Sequence, residues 1–157
     1  MRDENFSKLV HRLCSRWGIN MIQTSPGKSF VKKSLEALKR NELLFFLFDE
    51  AVPQKDGVKV RFLNREAIRA TGPILFFERT SSPILPIFIA QDERKHFKIF
   101  IKQPFKIEEG SNPRENMVKN VAGLTGIIEH FVNQYPLQWG GWFNKKWAYG
   151  EGSGVIS

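Results

Sequence analysis

Apolar positions along the chain fall into stretches with helical or strand-like spacing. Phe6, Leu9, Val10, Leu13 and Trp17 recur at helical intervals, with Asn5 as a cap and Gly18 where the helix would end. Residues 19–22 are apolar enough for a short strand, and Ser25-Pro26-Gly27 signals a turn. Phe30, Val31, Leu35 and Leu38 predict a second amphipathic helix. It runs out in Lys39-Arg40-Asn41, where cations suit the carbonyl end of the helix dipole.

Residues 43–48, Leu-Leu-Phe-Phe-Leu-Phe, are apolar on both alternating faces. That pattern predicts a strand covered on both sides, as in a parallel sheet. Residues 57–62 alternate as a strand, and Thr71-Gly72-Pro73 opens a helix. Residues 84–89 read as a buried strand whose Pro86 points to an edge, a bulge or a strand end. Residues 97–101 should pair beside it across the polar turn 91–95. The clearest element follows: Asn112 as cap, Pro113 in the first turn, Glu115 completing a capping box. Met117, Val121, Leu124, Ile128 and Phe131 then form one stripe, and Pro136 stops it. The expectation is an α/β fold: a mixed, largely parallel sheet flanked by helices, one domain over 1–149 with a flexible tail at 150–157.

Composition narrows the class of protein. The chain has 157 residues, 41% hydrophobic and 13% aromatic, which suits a packed domain and argues against disorder. A single cysteine, Cys14, excludes an internal disulfide framework. The longest apolar run has six residues, so neither a membrane span nor an export signal is expected. A net charge of +8, with a pI near 9.8, favours an anionic partner: nucleic acid, a bilayer surface or a phosphorylated substrate.

Catalytic constellations are scarce. His11, His96 and His130 are followed five positions later by Arg16, Ile101 and Tyr135, so none begins a His-x4-Asp or His-x4-Glu unit. No metal-ligand spacing appears, and Gly123-Leu124-Thr125-Gly126 lies inside a helical stripe, where close packing explains its glycines better than RNA clamping. Three features remain. Asp49-Glu50 stand at the carboxyl end of the 43–48 stretch, where open α/β sheets bind ligands, although a solvated strand end explains them as well. Thr71-Gly72 could offer backbone donors to an anion, or simply cap a helix. Residues 138–147 combine Trp139, Trp142, Phe143 and Trp147 with Lys145 and Lys146, a patch fit for a bilayer interface or for docking on the core.

In order, "LKRNELLFFLFDE", "GVKVRFLNREAIRATGPILFFERTSSPILPIFI", "HFKIFIKQPFKI" and "QYPLQWGGWFNKKW" resemble the C-terminal half of bacterial lipid A biosynthesis acyltransferases, over residues 2–147. These form the lauroyl/myristoyl branch of the lysophospholipid acyltransferase-like superfamily. The resemblance implies transfer of a fatty acyl group from an acyl carrier protein or coenzyme A thioester, with no cofactor of the enzyme's own. The acceptor would be a hydroxyl of a lipid A precursor or related glycolipid, at the cytoplasmic face of the bacterial inner membrane. It also implies roles: Arg61, Thr71, Gly72, Arg79, Lys145 and Lys146 toward anionic groups, Asp49 and Glu50 in the site floor, Phe62 along the acyl channel. Trp139, Trp142, Phe143 and Trp147 would meet the membrane peripherally.

The chain departs from the family pattern in places. The family's His-x4-Asp/Glu pair and membrane anchor precede the matched region, Glu50 replaces the usual Gln or His, and Asn144 replaces a common His. The expectation is therefore a truncated chain with no catalytic residue of its own. The rival readings are a non-catalytic basic module for membrane surfaces or lipids, and a nucleic-acid binder, which rests on charge alone and is disfavoured.

Overall fold

The computed structural model describes residues 4–22, 29–50 and 52–143. The chain divides into two compact units, Met1–Leu44 and Phe45–Ser157. In the first, α1 (Glu4–Arg16) and α2 (Ser29–Lys39) occupy the two stretches predicted as helical. Both close on Schellman motifs, which satisfy the last carbonyls through a left-handed residue. After α1 that residue is Gly18 (φ +73°): its N–H donates to the Ser15 carbonyl, and the Ile19 N–H donates to Cys14. After α2 it is Asn41 (φ 61°), with Asn41 N–H donating to Leu38 and Glu42 N–H to Ala37. Residues 19–22 form no strand; both Ile19 and Met21 are exposed.

The second unit holds β1 (Gly57–Phe62), β2 (Arg65–Ala70), α3 (Gly72–Thr80), β3 (Ile87–Gln91), β4 (Phe97–Ile101) and α4 (Pro113–Gln134). Its strands form two separate antiparallel pairs, β1 with β2 and β3 with β4. The expected largely parallel sheet is therefore corrected: helices and sheets are mixed, but the sheets are two-stranded hairpins. The reason lies in residues 43–48, which join no ladder. Phe46 tilts against Phe76 (centroids 5.5 Å) and Phe48 packs on the core, while Leu43, Phe45 and Leu47 are exposed. Parallel pairing needs a second strand delivered by a long crossover, whereas neighbours in sequence pair across a tight turn at little loop-closure entropy.

The β1–β2 turn is Leu63-Asn64, both with positive φ (48° and 61°), the backbone of a two-residue type I′ hairpin. Gly57 opens β1 because nothing larger fits: a Cβ there would lie 2.7 Å from Val52 and 2.8 Å from Ile68. Alternation then puts Val58, Val60, Phe62, Ala67 and Arg69 on one face, toward α4. Val60, Ile74, Val121 and Leu124 form one buried cluster; Phe62, Ala67, Val132 and Trp139 form another.

α4 begins as its residues predict. The Asn112 side chain accepts from the Arg114 and Glu115 N–H groups, and its amide donates to Glu115 (2.8 Å). Gly123 admits the Phe105 ring, 3.0 Å from where a Cβ would stand. Buried Asn120 pins the extended segment beside it, accepting from Glu108 N–H (2.8 Å) and donating to Glu108 O (2.9 Å). Pro86 lies just outside β3, at the strand end. The inner face of β3–β4 stacks Phe88 on Phe131 (centroids 4.3 Å), while Ile87, Ile89, Phe97, Ile99 and Ile101 point outward and are exposed. Among the described residues, no helix is long and apolar enough to cross a membrane.

Candidate functional site

Arg69 is the most unusual residue of the second unit: a guanidinium on the core face of β2 with no solvent exposure. Ala67, two residues earlier on the same face, is small enough to let the long side chain lie along the sheet. Its Cζ sits 4.2 Å from the centre of the Phe62 ring, a cation–π contact. Nη1 donates to the Asp49 carbonyl oxygen at 2.5 Å. Nε and Nη2 are buried with no hydrogen-bond partner among the described residues. Burial pushes the Arg69 pKa down to about 10, and the nearby Asp49 charge opposes that fall.

Asp49 holds the arrangement together from the other side. Its main chain accepts from Arg69, and its carboxylate Oδ2 accepts from Trp139 Nε1–H at 3.1 Å. Trp139 meets Phe62 edge-on (5.4 Å) and Trp142 edge-on (4.9 Å). The segment carrying these tryptophans consists of two 3-10 turns, Pro136–Gln138 and Gly140–Phe143. It is tied down by Gln138, whose amide bonds both ways with the Gln91 main chain (2.6 and 2.9 Å). A side chain at Gly141 would strike the Trp139 ring. Asp49, Phe62 and Trp139, far apart in sequence, thus meet around Arg69.

Other expected site residues lie elsewhere. Glu50 is exposed, and Arg61 is exposed and donates to Asn64 (3.0 Å). Arg61 lines a shallow, open hollow of about 430 Å³ near the turn of the first hairpin, with Lys59, Asn64, Arg65 and Glu66. Thr71 and Gly72 are half-buried at the start of α3, where the Thr71 hydroxyl makes no capping bond. Arg79 is exposed near the end of α3. Trp139, grouped by sequence with membrane-facing rings, is buried; Trp142 is 45% exposed and donates to the Pro136 carbonyl. Phe143 ends the second 3-10 turn, and Lys145, Lys146 and Trp147 lie outside the described residues.

The histidines build no acid–base pair among the described residues. His96 Nδ1 stands 3.8 Å from Asp92 Oδ2 at an exposed hairpin turn, beyond hydrogen-bond reach. His11 is exposed beside Ser15, and His130 is exposed on α4. No group of three or more His, Cys, Asp or Glu residues able to hold a metal occurs among the described residues.

This ordered set of elements, with Asp49 bonded to the Trp139 segment, spans the same stretch as a known family. The model of the bacterial lipid A biosynthesis acyltransferase family matches residues 1–148. The chain belongs to that family. A search of curated proteins finds no match. Membership of the lipid A acyltransferase family carries an acyltransferase-type function, and the site around Asp49 is read in that light.

Arg69 is the member of this site that sequence reasoning missed. Its strand was hidden because the turn before it, Leu63-Asn64, lacks the glycine that usually marks a hairpin. The available signal was the alternation Arg65, Ala67, Arg69, which places a second arginine on the face shared with Val60 and Phe62.

Proposed function

We propose that this lipid A acyltransferase family chain serves transfer of a fatty acyl group from an acyl carrier protein or coenzyme A thioester to a hydroxyl of a lipid A precursor or related glycolipid. It would do so as the part that shapes the site. The observation that carries this reading is the family match over residues 1–148, in which Asp49 is held between Trp139 and Arg69. Supporting it further, Arg61, Arg79 and Lys59 offer exposed cations for anionic headgroups on a chain of net charge +8. Peripheral attachment at the cytoplasmic face of the inner membrane follows from the same substrate chemistry.

General-base activation of an alcohol needs a proton acceptor oriented by a second group. No His-x4-Asp or His-x4-Glu occurs within these 157 residues, so the family's own acid–base pair is not among them. The test is an acyl-transfer assay with an acyl thioester donor and a lipid A precursor. The purified chain alone is expected to show no turnover above the uncatalysed rate. Addition of a separately produced polypeptide bearing the family's His-x4-Asp/Glu block should restore it. Turnover by the chain alone would refute the missing base, and failure of every complementing polypeptide would count against a transfer role.

A further inference from the structure

The two unpartnered nitrogens of Arg69 are not an arbitrary pair. Nε–H and the parallel N–H of Nη2 lie along one edge of the planar guanidinium, the side-on fork that receives two oxygens of one anion. The opposite nitrogen, Nη1, is already committed to the Asp49 carbonyl. A buried cation with an unused fork is costly to keep, and the Asp49 carboxylate does not fill it, being bonded to Trp139 instead. We propose that the Nε/Nη2 edge of Arg69 is a receptor for a carboxylate, held bidentately beside Phe62.

Two observations select the ligand class. The surroundings are apolar: Arg69 lies on the ring of Phe62, which belongs to the buried cluster of Phe62, Ala67, Val132 and Trp139. Desolvation of an ion rises steeply with its charge, so a monoanionic carboxylate is favoured there over dianionic phosphate. The planar, two-oxygen carboxylate also matches the planar fork. Because the fork is closed to solvent, a ligand reaches it only when a neighbour moves. Trp139 meets the Phe62 ring and bonds the Asp49 carboxylate, so it contacts both residues that hold Arg69. The carboxylate can belong to a free small acid or to the head of a fatty acid.

The test follows the arginine Nε–H resonances of the full ¹⁵N-labelled chain while sodium acetate, sodium laurate or sodium phosphate replaces chloride at constant ionic strength. One Nε–H resonance, missing from Arg69→Lys, is expected to move downfield and saturate with a carboxylate, at least about tenfold more tightly than with phosphate. Acetate and laurate separate the two sources: equal affinity means a small-acid site, tighter laurate an amphiphile site. In parallel, a hundredfold excess of carboxylate over Kd should raise the wild-type Tm by roughly 5 °C and leave Arg69→Met unchanged. No resonance shift with either carboxylate, tighter binding of phosphate, or an equal Tm rise in Arg69→Met would each overturn the proposal. The resonance titration uses the wild-type chain, so it decides even if a variant fails to fold. None of its arms involves acyl transfer, so it stands or falls apart from the transfer reading.

Discussion

At the scale of single residues, two buried polar side chains act in opposite directions. Arg69 is charged, unexposed and short of partners, so it weakens the fold at neutral pH. Burial lowers its pKa from the ordinary guanidinium range to about 10, which corresponds to a penalty on the order of 3 kcal/mol. The penalty is present in full below pH 10, where folded and unfolded chains both carry the proton. It is relieved as pH rises above about 10 toward the ordinary guanidinium range, where only the unfolded chain keeps the proton. Arg69→Met should therefore raise unfolding stability by about 1–4 kcal/mol near neutrality. Urea midpoints taken at about pH 9 and about pH 11 should show the gap between Met variant and wild type narrowing with pH. Asn120 is the contrary case, because its amide is fully used on Glu108 and Asn116. Asn120→Leu should cost about 1–3 kcal/mol in the same measurement, by stripping the Glu108 main chain of its partners. Neither role was legible in the sequence: the letters Arg and Asn give no hint of burial until a strand face or a helix face is fixed.

Among the elements, those with strong local signals formed where the sequence put them. α4 has its cap at Asn112, its stripe from Met117 to Phe131 and its stop before Pro136, all within one run of chain. The 43–48 stretch had an equally strong apolar signal and yet joins no ladder, because a strand is completed by another segment's backbone and not by its own residues. β2 was hidden for the converse reason: its pairing with β1 is local, but Leu63-Asn64 is a poor advertisement for a turn with two positive φ angles. Gly57 marks the start of that hairpin. Gly57→Ala should destabilise the second unit by about 1–3 kcal/mol through overpacking against Val52 and Ile68, read as a lowered thermal midpoint. The β3–β4 hairpin invites a different test. Its outer face presents Ile87, Ile89, Phe97, Ile99 and Ile101, an apolar strand surface of the kind that promotes aggregation. Ile99→Lys should reduce light scattering of concentrated samples while leaving Tm within about 1 °C of wild type, since Ile99 is 66% exposed.

For the whole molecule, sequence by itself determined the family, the basic net charge of +8 and the absence of a His-x4-Asp/Glu pair within these residues, because each is a matter of residue order or charge count. It also determined the helices, whose hydrogen bonds close within four residues and whose caps sit at their ends. The tertiary structure alone decided which strands pair, giving two short antiparallel hairpins in place of a largely parallel sheet. It alone brought Asp49, Phe62, Arg69 and Trp139 together, residues up to 90 positions apart. Burial is a property of neighbours, not of a residue type. A guanidinium becomes costly, and open to a ligand, only once the fold has removed water from around it without filling its fork.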